Sequence, residues 1–248
     1  RAFPHAPYSC SPRLLRKVFR AHHKNGVPFG MHLAESPDEV EFVKCCANKI
    51  EGKIFPLIRK ESFKRPAAES PFVYFSKMGL SEGDRVTLIH IVQVGKEEAD
   101  EISRLGLGIV LCPRSNLFLQ AGAPPFAHYS GVERLGIGTD GLSSNYNLDF
   151  FEELRAFHLL MSQAIGEKAA FKSVHAATLG GAGALYLEEK TGSIDPGKEA
   201  DLIYIDTPGS FRDPYLSVIS SASANLGMVM TAGTVLYKKD SISFPDSV

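Results

Sequence analysis

The sequence predicts an α/β protein in which successive βα units feed a parallel sheet, followed by a small β appendage. Short apolar runs recur along the chain, each closing on polar, Gly or Pro residues and each followed by a helical spacing of apolar side chains. After Leu187 the texture changes to turn residues and alternating strands. The 248 residues, 44% of them hydrophobic, are enough to bury one large core. The expected division is 1–190 for the βα part and 191–248 for the appendage.

The first predicted strand is Arg1 to His5, and Ser11-Pro12 supplies the N-cap and first position of its helix, through Leu14, Leu15, Val18 and Phe19. The second runs from Val27 to Leu33, with a helix starting at Ser36-Pro37-Asp38-Glu39 and carrying Val40, Phe42 and Val43. The stretch Glu51 to Pro71 is rich in Lys, Arg and Pro and reads either as a lid or as a solvated insertion. Strands three to five are Val86–Val94, Leu107–Cys112 and Leu135–Thr139, with Lys96–Leu105 as the helix of the third. Helical stretches Leu148–Ile165 and Ala169–Leu187 follow. The tail reads as a turn at Gly192–Gly197, a strand over Asp201–Asp206, and a last strand pair, Leu226–Thr231 and Thr234–Tyr237, around Ala232-Gly233.

Lys and Arg number 27 against 28 Asp and Glu, a net charge of −1, which gives no general pull toward nucleic acid or a membrane surface and points to a small-molecule substrate. No apolar run reaches the roughly 20 residues of a membrane span. Arg1 to Cys10 lacks the basic-then-apolar layout of a signal peptide, and the four cysteines form no CxxC pair, so a reducing cytoplasm is the expected compartment.

In a βα architecture, loops at the strand C-termini build the site. Read off in order, the polar residues there are His5, His32, Glu35, His90, Arg114, Ser115, Asn116, Asp140 and Ser144. His32-Leu33-Ala34-Glu35 offers an imidazole to a metal and, three residues on, a carboxylate able to shuttle protons. Alone, the same pattern is equally a core histidine and a first-turn Glu that complements the helix dipole. His90 closes Val86-Thr87-Leu88-Ile89, where a lone His is ordinarily a satisfied core residue, and Asp140 before Gly141 alone is turn chemistry. Three such groups in register at strand ends argue for a shared site. Arg114-Ser115-Asn116 leaves its strand abruptly at Pro113 and reads either as a grip on substrate heteroatoms or as a structural loop.

Together His32–Glu35, His90, Cys112–Asn116, Gly138-Thr139-Asp140 with Ser143-Ser144-Asn145, and Gly192-Ser193-Ile194 with Gly197–Leu202 resemble the amidohydrolase superfamily. The nearest branch is similar to the adenosine, S-adenosylhomocysteine and aminofutalosine deaminases and to the triazine chlorohydrolases. The resemblance implies a (β/α)8 TIM-type barrel and one divalent metal, zinc or iron, held by an HxH pair, His32 and Asp140, with His90 near enough to touch it. It implies that Glu35 passes a proton to the ring nitrogen and leaving amine, that His90 orients the water, that Asp140 acts as base, and that His5 and Ser144 contact substrate. The implied activity is hydrolytic deamination of a nucleoside-like or other heterocyclic amine, with dechlorination or cyclic-amide hydrolysis as alternatives. A homodimer is implied as well.

The sequence departs from the family pattern in one respect. No His-x-His pair occurs, His22-His23 being adjacent and ahead of the second strand, and about five core strands are counted where a closed barrel has eight. A partial barrel is therefore expected, its first three units outside this sequence. The chemical motifs are intact, which favours an incomplete record of a longer chain; a separate chain carrying the remainder, or a truncated product whose role is assembly with a partner, are the alternatives.

Overall fold

Ser11 and Pro12 start the first helix as their residue types require. In the computed structural model, which describes residues 3–207 and 213–239, α1 spans Pro12–Asn25; the Ser11 hydroxyl accepts the Leu14 N–H, and Gly26, at φ 64°, ends the helix by donating its N–H to His22 O. Strand β1 (Phe29–Leu33) follows, then α2 (Pro37–Val43), capped by Ser36. The Lys- and Arg-rich stretch opens on a π-helical segment, Ile50–Ile54, and the single turn α3 (Phe55–Leu57) before α4 (Pro71–Ser76). The next units are β2 (Val86–His90) with α5 (Lys96–Arg104), and β3 (Gly108–Leu111) with α6 (Pro113–Phe118) and α7 (Phe126–Tyr129). Strand β4 (Leu135–Ile137) leads to α8 (Phe150–Ile165), α9 (Ala169–Ala177) and α10 (Leu179–Ala184).

The sheet has order β1-β2-β3-β4, all parallel, with Leu33 opposite His90, Ile89 opposite Val110 and Leu111 opposite Ile137. Sequential parallel pairing puts every strand C-terminus on one rim, as βα crossovers demand. Strand β2 is buried along its whole length, and Phe19, Phe29 and Phe75 pack edge-on or tilted, with centroids 5.1–5.2 Å apart for Phe19 with each of the others. No helix among the described residues is long and apolar enough to cross a membrane.

Among the described residues, four parallel strands stand where five were expected. Arg1 and Ala2 lie outside the described residues, and residues 3–6 carry no ladder beyond the single bond from His32 N–H to His5 O, 2.9 Å. Strands β2, β3 and β4 also end earlier than their apolar runs. Val86–Val94 stops as a strand at His90 because His90 and Ile91 adopt φ of 74° and 36°, which turns the chain out of the ladder.

Ala169–Leu187 divides at Thr178, whose ψ of −102° breaks the helix. The break lets glycine-rich α10 approach the sheet backbone to backbone: a Cβ at Gly180 would stand 2.5 Å from Leu135 O, and one at Gly108 would stand 2.2 Å from Ala184 O.

Strand β5 (Leu202–Ile205) pairs antiparallel with β6 (Leu226–Thr231), and β6 with β7 (Thr234–Lys238), after the short helix α11 (Pro214–Ser220). Ala232 and Gly233, both at positive φ, make the two-residue hairpin turn. Beside β4, whose outer edge has no strand partner among the described residues, lies a trough of about 650 Å³ lined by apolar groups including Ile137, Phe150, Leu185 and Ile194.

Candidate active site

Four rim positions bring their polar side chains together. His32 sits one residue before the end of β1 and His90 ends β2; their rings stack with centroids 4.9 Å apart, and His32 Nδ1 lies 2.8 Å from His90 Nε2. Asp140 follows β4, and one ligand atom from each of His32, His90 and Asp140 lies within 4.8 Å of the others. Glu35, beyond β1, places Oε1 3.8 Å from His90 Nε2.

The backbone at this rim is held in sparsely populated conformations. Ala34, His90, Ile91 and Asp140 all have positive φ without being glycine. Such conformations cost of order 1–3 kcal/mol each and persist only where the surroundings impose them. The surroundings are identifiable. Buried Glu39 accepts the N–H groups of Ala34 and Glu35 at 2.9 and 3.0 Å. Buried Glu153 accepts the Arg114 N–H at 2.9 Å and Asn145 Nδ2 at 3.1 Å, and Asn145 also donates to Thr139 O. Neither carboxylate was picked out in the sequence. Each sits in the first turn of a helix, where an acid is unremarkable, and only its burial sets it apart.

Helix α6, which begins directly after Cys112 with Pro113 at its first position, serves two of the strands at once. Ser115 donates to Asp140 Oδ2 at 2.7 Å, and Asn116 Oδ1 lies 2.8 Å from His90 Nδ1. Ser144 adds a second hydroxyl to Asp140 Oδ2 at 2.5 Å. With Asn116 Oδ1 as acceptor, His90 carries its proton on Nδ1 and turns the Nε2 lone pair toward His32 and Glu35.

Burial, then the nearby His90 and His5, lower the His32 pKa to about 4 against a small opposing effect of Asp140, so at neutral pH this imidazole is uncharged. Burial works to raise the Asp140 pKa, but the Ser144 and Ser115 hydroxyls and the neighbouring His90 and His32 outweigh it and hold the carboxyl below its ordinary value. An anionic carboxylate beside an uncharged imidazole is a hard-and-borderline donor set suited to a divalent cation. His32 Nδ1 can donate its proton to His90 Nε2 across that 2.8 Å, a cation can take the proton's place, and an Asp140 oxygen within 4.8 Å of both is a further donor. The site therefore fits a metal.

His5 lies at the mouth, its ring 5.2 Å from that of His32 and its Nδ1 2.8 Å from Ser9 Oγ. Arg114 does not point its charge into the site. Its guanidinium pairs with Glu152 at 2.6 Å and donates to Asn147 Oδ1 at 3.1 Å, which makes it a brace between α6 and the start of α8. Ser115 and Asn116, expected to grip substrate, are fully buried and committed to Asp140 and His90.

The sequence profile of the amidohydrolase family matches residues 2–236. The chain belongs to that family. It is 36% identical over 228 residues to a 5-methylthioadenosine/S-adenosylhomocysteine deaminase of Moorella thermoacetica, covering 90% of this chain and 47% of that protein. It is 31% identical over 244 residues to a 5'-deoxyadenosine deaminase of Methanopyrus kandleri, covering 95% and 52%. Among solved structures, an adenosine deaminase of Xanthomonas campestris, determined with bound zinc, superposes with a TM-score of 0.78 at 28% identity, over 94% of this chain and 50% of that one. This amidohydrolase chain thus spans about half the length of the curated relatives it matches. The structural likeness carries the barrel type of α/β fold expected from the motifs.

Proposed function

We propose that the protein is a metal-dependent hydrolytic deaminase of a nucleoside-like amine, of the 5-methylthioadenosine or S-adenosylhomocysteine kind that its relatives' names describe, with residues 1–190 supplying barrel and site and 191–248 the appendage. The observation that carries this reading is the convergence of His32, His90 and Asp140, with Glu35 beside them, at the C-terminal rim of one parallel sheet.

His32 and Asp140 would hold the cation, zinc or iron, with His90 as the third donor in reach. A cation bound there supplies Lewis acidity and lowers the pKa of an attacking water. Water adds to the amine-bearing carbon while Asp140 takes one of its protons and Glu35 protonates the ring nitrogen; Glu35 then carries the added hydroxyl's proton to the amine, ammonia leaves as the carbonyl forms, and the proton on Asp140 returns to Glu35. Asn116 holds His90 in one tautomer, and Ser115 and Ser144 hold the Asp140 carboxylate. His5, at the mouth, is placed to meet the substrate.

The test is ammonia release from 5-methylthioadenosine and S-adenosylhomocysteine by the gene product and its Glu35→Gln variant. A fall in kcat of about 10²–10⁴ is expected for loss of a general acid. Unchanged turnover in the variant removes Glu35 from the role given to it.

A second reading rests on the outer edge of β4, without a strand partner among the described residues, and on the apolar trough beside it, which suit a covering polypeptide. Here the chain is a barrel portion completed by a partner chain. Zinc content measured together with solution mass separates the two readings.

A further inference from the structure

His22 and His23 close α1, and Asp84 precedes β2 by two residues, so all three lie at the N-terminal ends of β1 and β2. The candidate active site is at the opposite rim, one strand away: five residues, about 16 Å. Nothing in the proposed chemistry uses this cluster. His22 and Asp84 are buried, each with 6% of its side chain exposed, while His23 reaches solvent at 42%.

Hydrogen bonding fixes the electronic state of His22. Its Nδ1 lies 2.8 Å from Val27 O, which can only accept, so Nδ1 carries the proton. The Arg85 backbone N–H points at Nε2 from 3.3 Å, which marks Nε2 as the lone-pair nitrogen. That lone pair faces Asp84 Oδ1 at 3.3 Å, so two electron-rich atoms confront one another in a buried place. His23 Nε2 approaches the same carboxylate, 2.9 Å from Oδ1 and 3.1 Å from Oδ2, and Ser81 N–H donates to Oδ2.

We propose that His22, His23 and Asp84 form a second divalent-metal site of zinc type, separate from the catalytic rim, that clamps the end of α1 to the loop entering β2. Two imidazoles and a carboxylate are a common zinc donor set, and bonds of about 2.0–2.1 Å in tetrahedral array put ligand atoms about 3.3 Å apart. The His22–Asp84 separation already has that value, and His23, half in solvent, is free to open by the few tenths of an ångström required. The Val27 carbonyl on Nδ1 is the outer partner that a metal-binding histidine ordinarily has. Among the described residues, the long bond from Arg85 N–H is the contact of His22 Nε2 that the cation displaces, apart from the facing carboxylate it would bind.

The experiment uses the full chain with the other site removed by His32→Ala and Asp140→Ala, stripped with chelator and titrated with zinc and with cobalt. One equivalent of zinc, a tetrahedral cobalt absorbance and a zinc-dependent rise in Tm are expected, all three lost on adding His23→Gln. Should the double variant fail to fold, wild type is compared with His23→Gln alone; a difference of one equivalent supports the site and equal metal content overturns it. A double variant that folds and binds no zinc also overturns it. So does a His23→Gln variant with a lower Tm that does not depend on zinc, the result expected of a plain His23–Asp84 ion pair.

Discussion

The Glu39 carboxylate, wholly buried, receives the backbone N–H groups of Ala34 and Glu35. It thereby holds the left-handed turn at Ala34 that sends Glu35 toward His90. Burial raises its pKa to about 8, despite the two N–H bonds. A carboxyl raised in the fold binds its proton more tightly there than in the unfolded chain. Its contribution is therefore fully present below about pH 4.5 and lost as pH rises through about 8. Urea midpoints measured from pH 5 to 9 should fall with pH in the wild type and flatten in Glu39→Gln; equal slopes would show that Glu39 is not neutral in the fold.

Asn116 is expected to act on the site through His90. Asn116→Ala removes the acceptor on Nδ1 and frees the ring to change tautomer. Loss of such an outer partner typically costs about 10–100-fold in metal affinity or activity. Zinc affinity and kcat of the gene product should fall together while KM stays near its wild-type value, and an unaltered kcat would count against the tautomer argument.

Arg114 gives a contrary expectation to its reading as a grip on substrate heteroatoms, among them a carboxylate. Because the guanidinium is 13% exposed and bound by Glu152 and Asn147, Arg114→Ala should destabilise the fold by about 1–3 kcal/mol through the groups left unpaired. The preference between S-adenosylhomocysteine and 5-methylthioadenosine should change by less than about twofold, a shift that kcat/KM ratios resolve. A selective loss of the carboxylate-bearing substrate would restore the grip.

Gly108 tests the close approach of α10 to the sheet. With 2.2 Å between an added Cβ and Ala184 O, and backbone on both sides, Gly108→Ala should cost about 3 kcal/mol, or roughly 6–12 °C in Tm for a chain of this size. Thermal unfolding by circular dichroism reads it directly.

Much of this is legible in the sequence. The runs at Val86 and Leu107 announce buried parallel strands, and Ser11-Pro12 and Ser36-Pro37 announce helix starts, because these signals are local. The convergence of His32, His90 and Asp140 was legible too, since strand order in βα units assigns them to one rim. The short helices after β3 are not: α6 reads as a loop leaving Cys112, and α7 has too few turns for a period to show. The sequence leaves Arg114 open between a substrate grip and a structural loop because its partner Glu152 lies on a different helix, and ion pairs between distant residues leave no mark in spacing. Glu39 and Glu153 look like first-turn acids because burial is a property of the whole fold.

One turn of α6 carries Ser115 and Asn116 side by side, the first fastened to the carboxylate after β4 and the second to the imidazole ending β2. It works as a yoke across three strands. A shift of the Cys112-Pro113 junction would move the Asp140 carboxylate and the His90 imidazole in concert, altering their distance to His32. Natural variation under that turn would retune the pair as one mechanical unit.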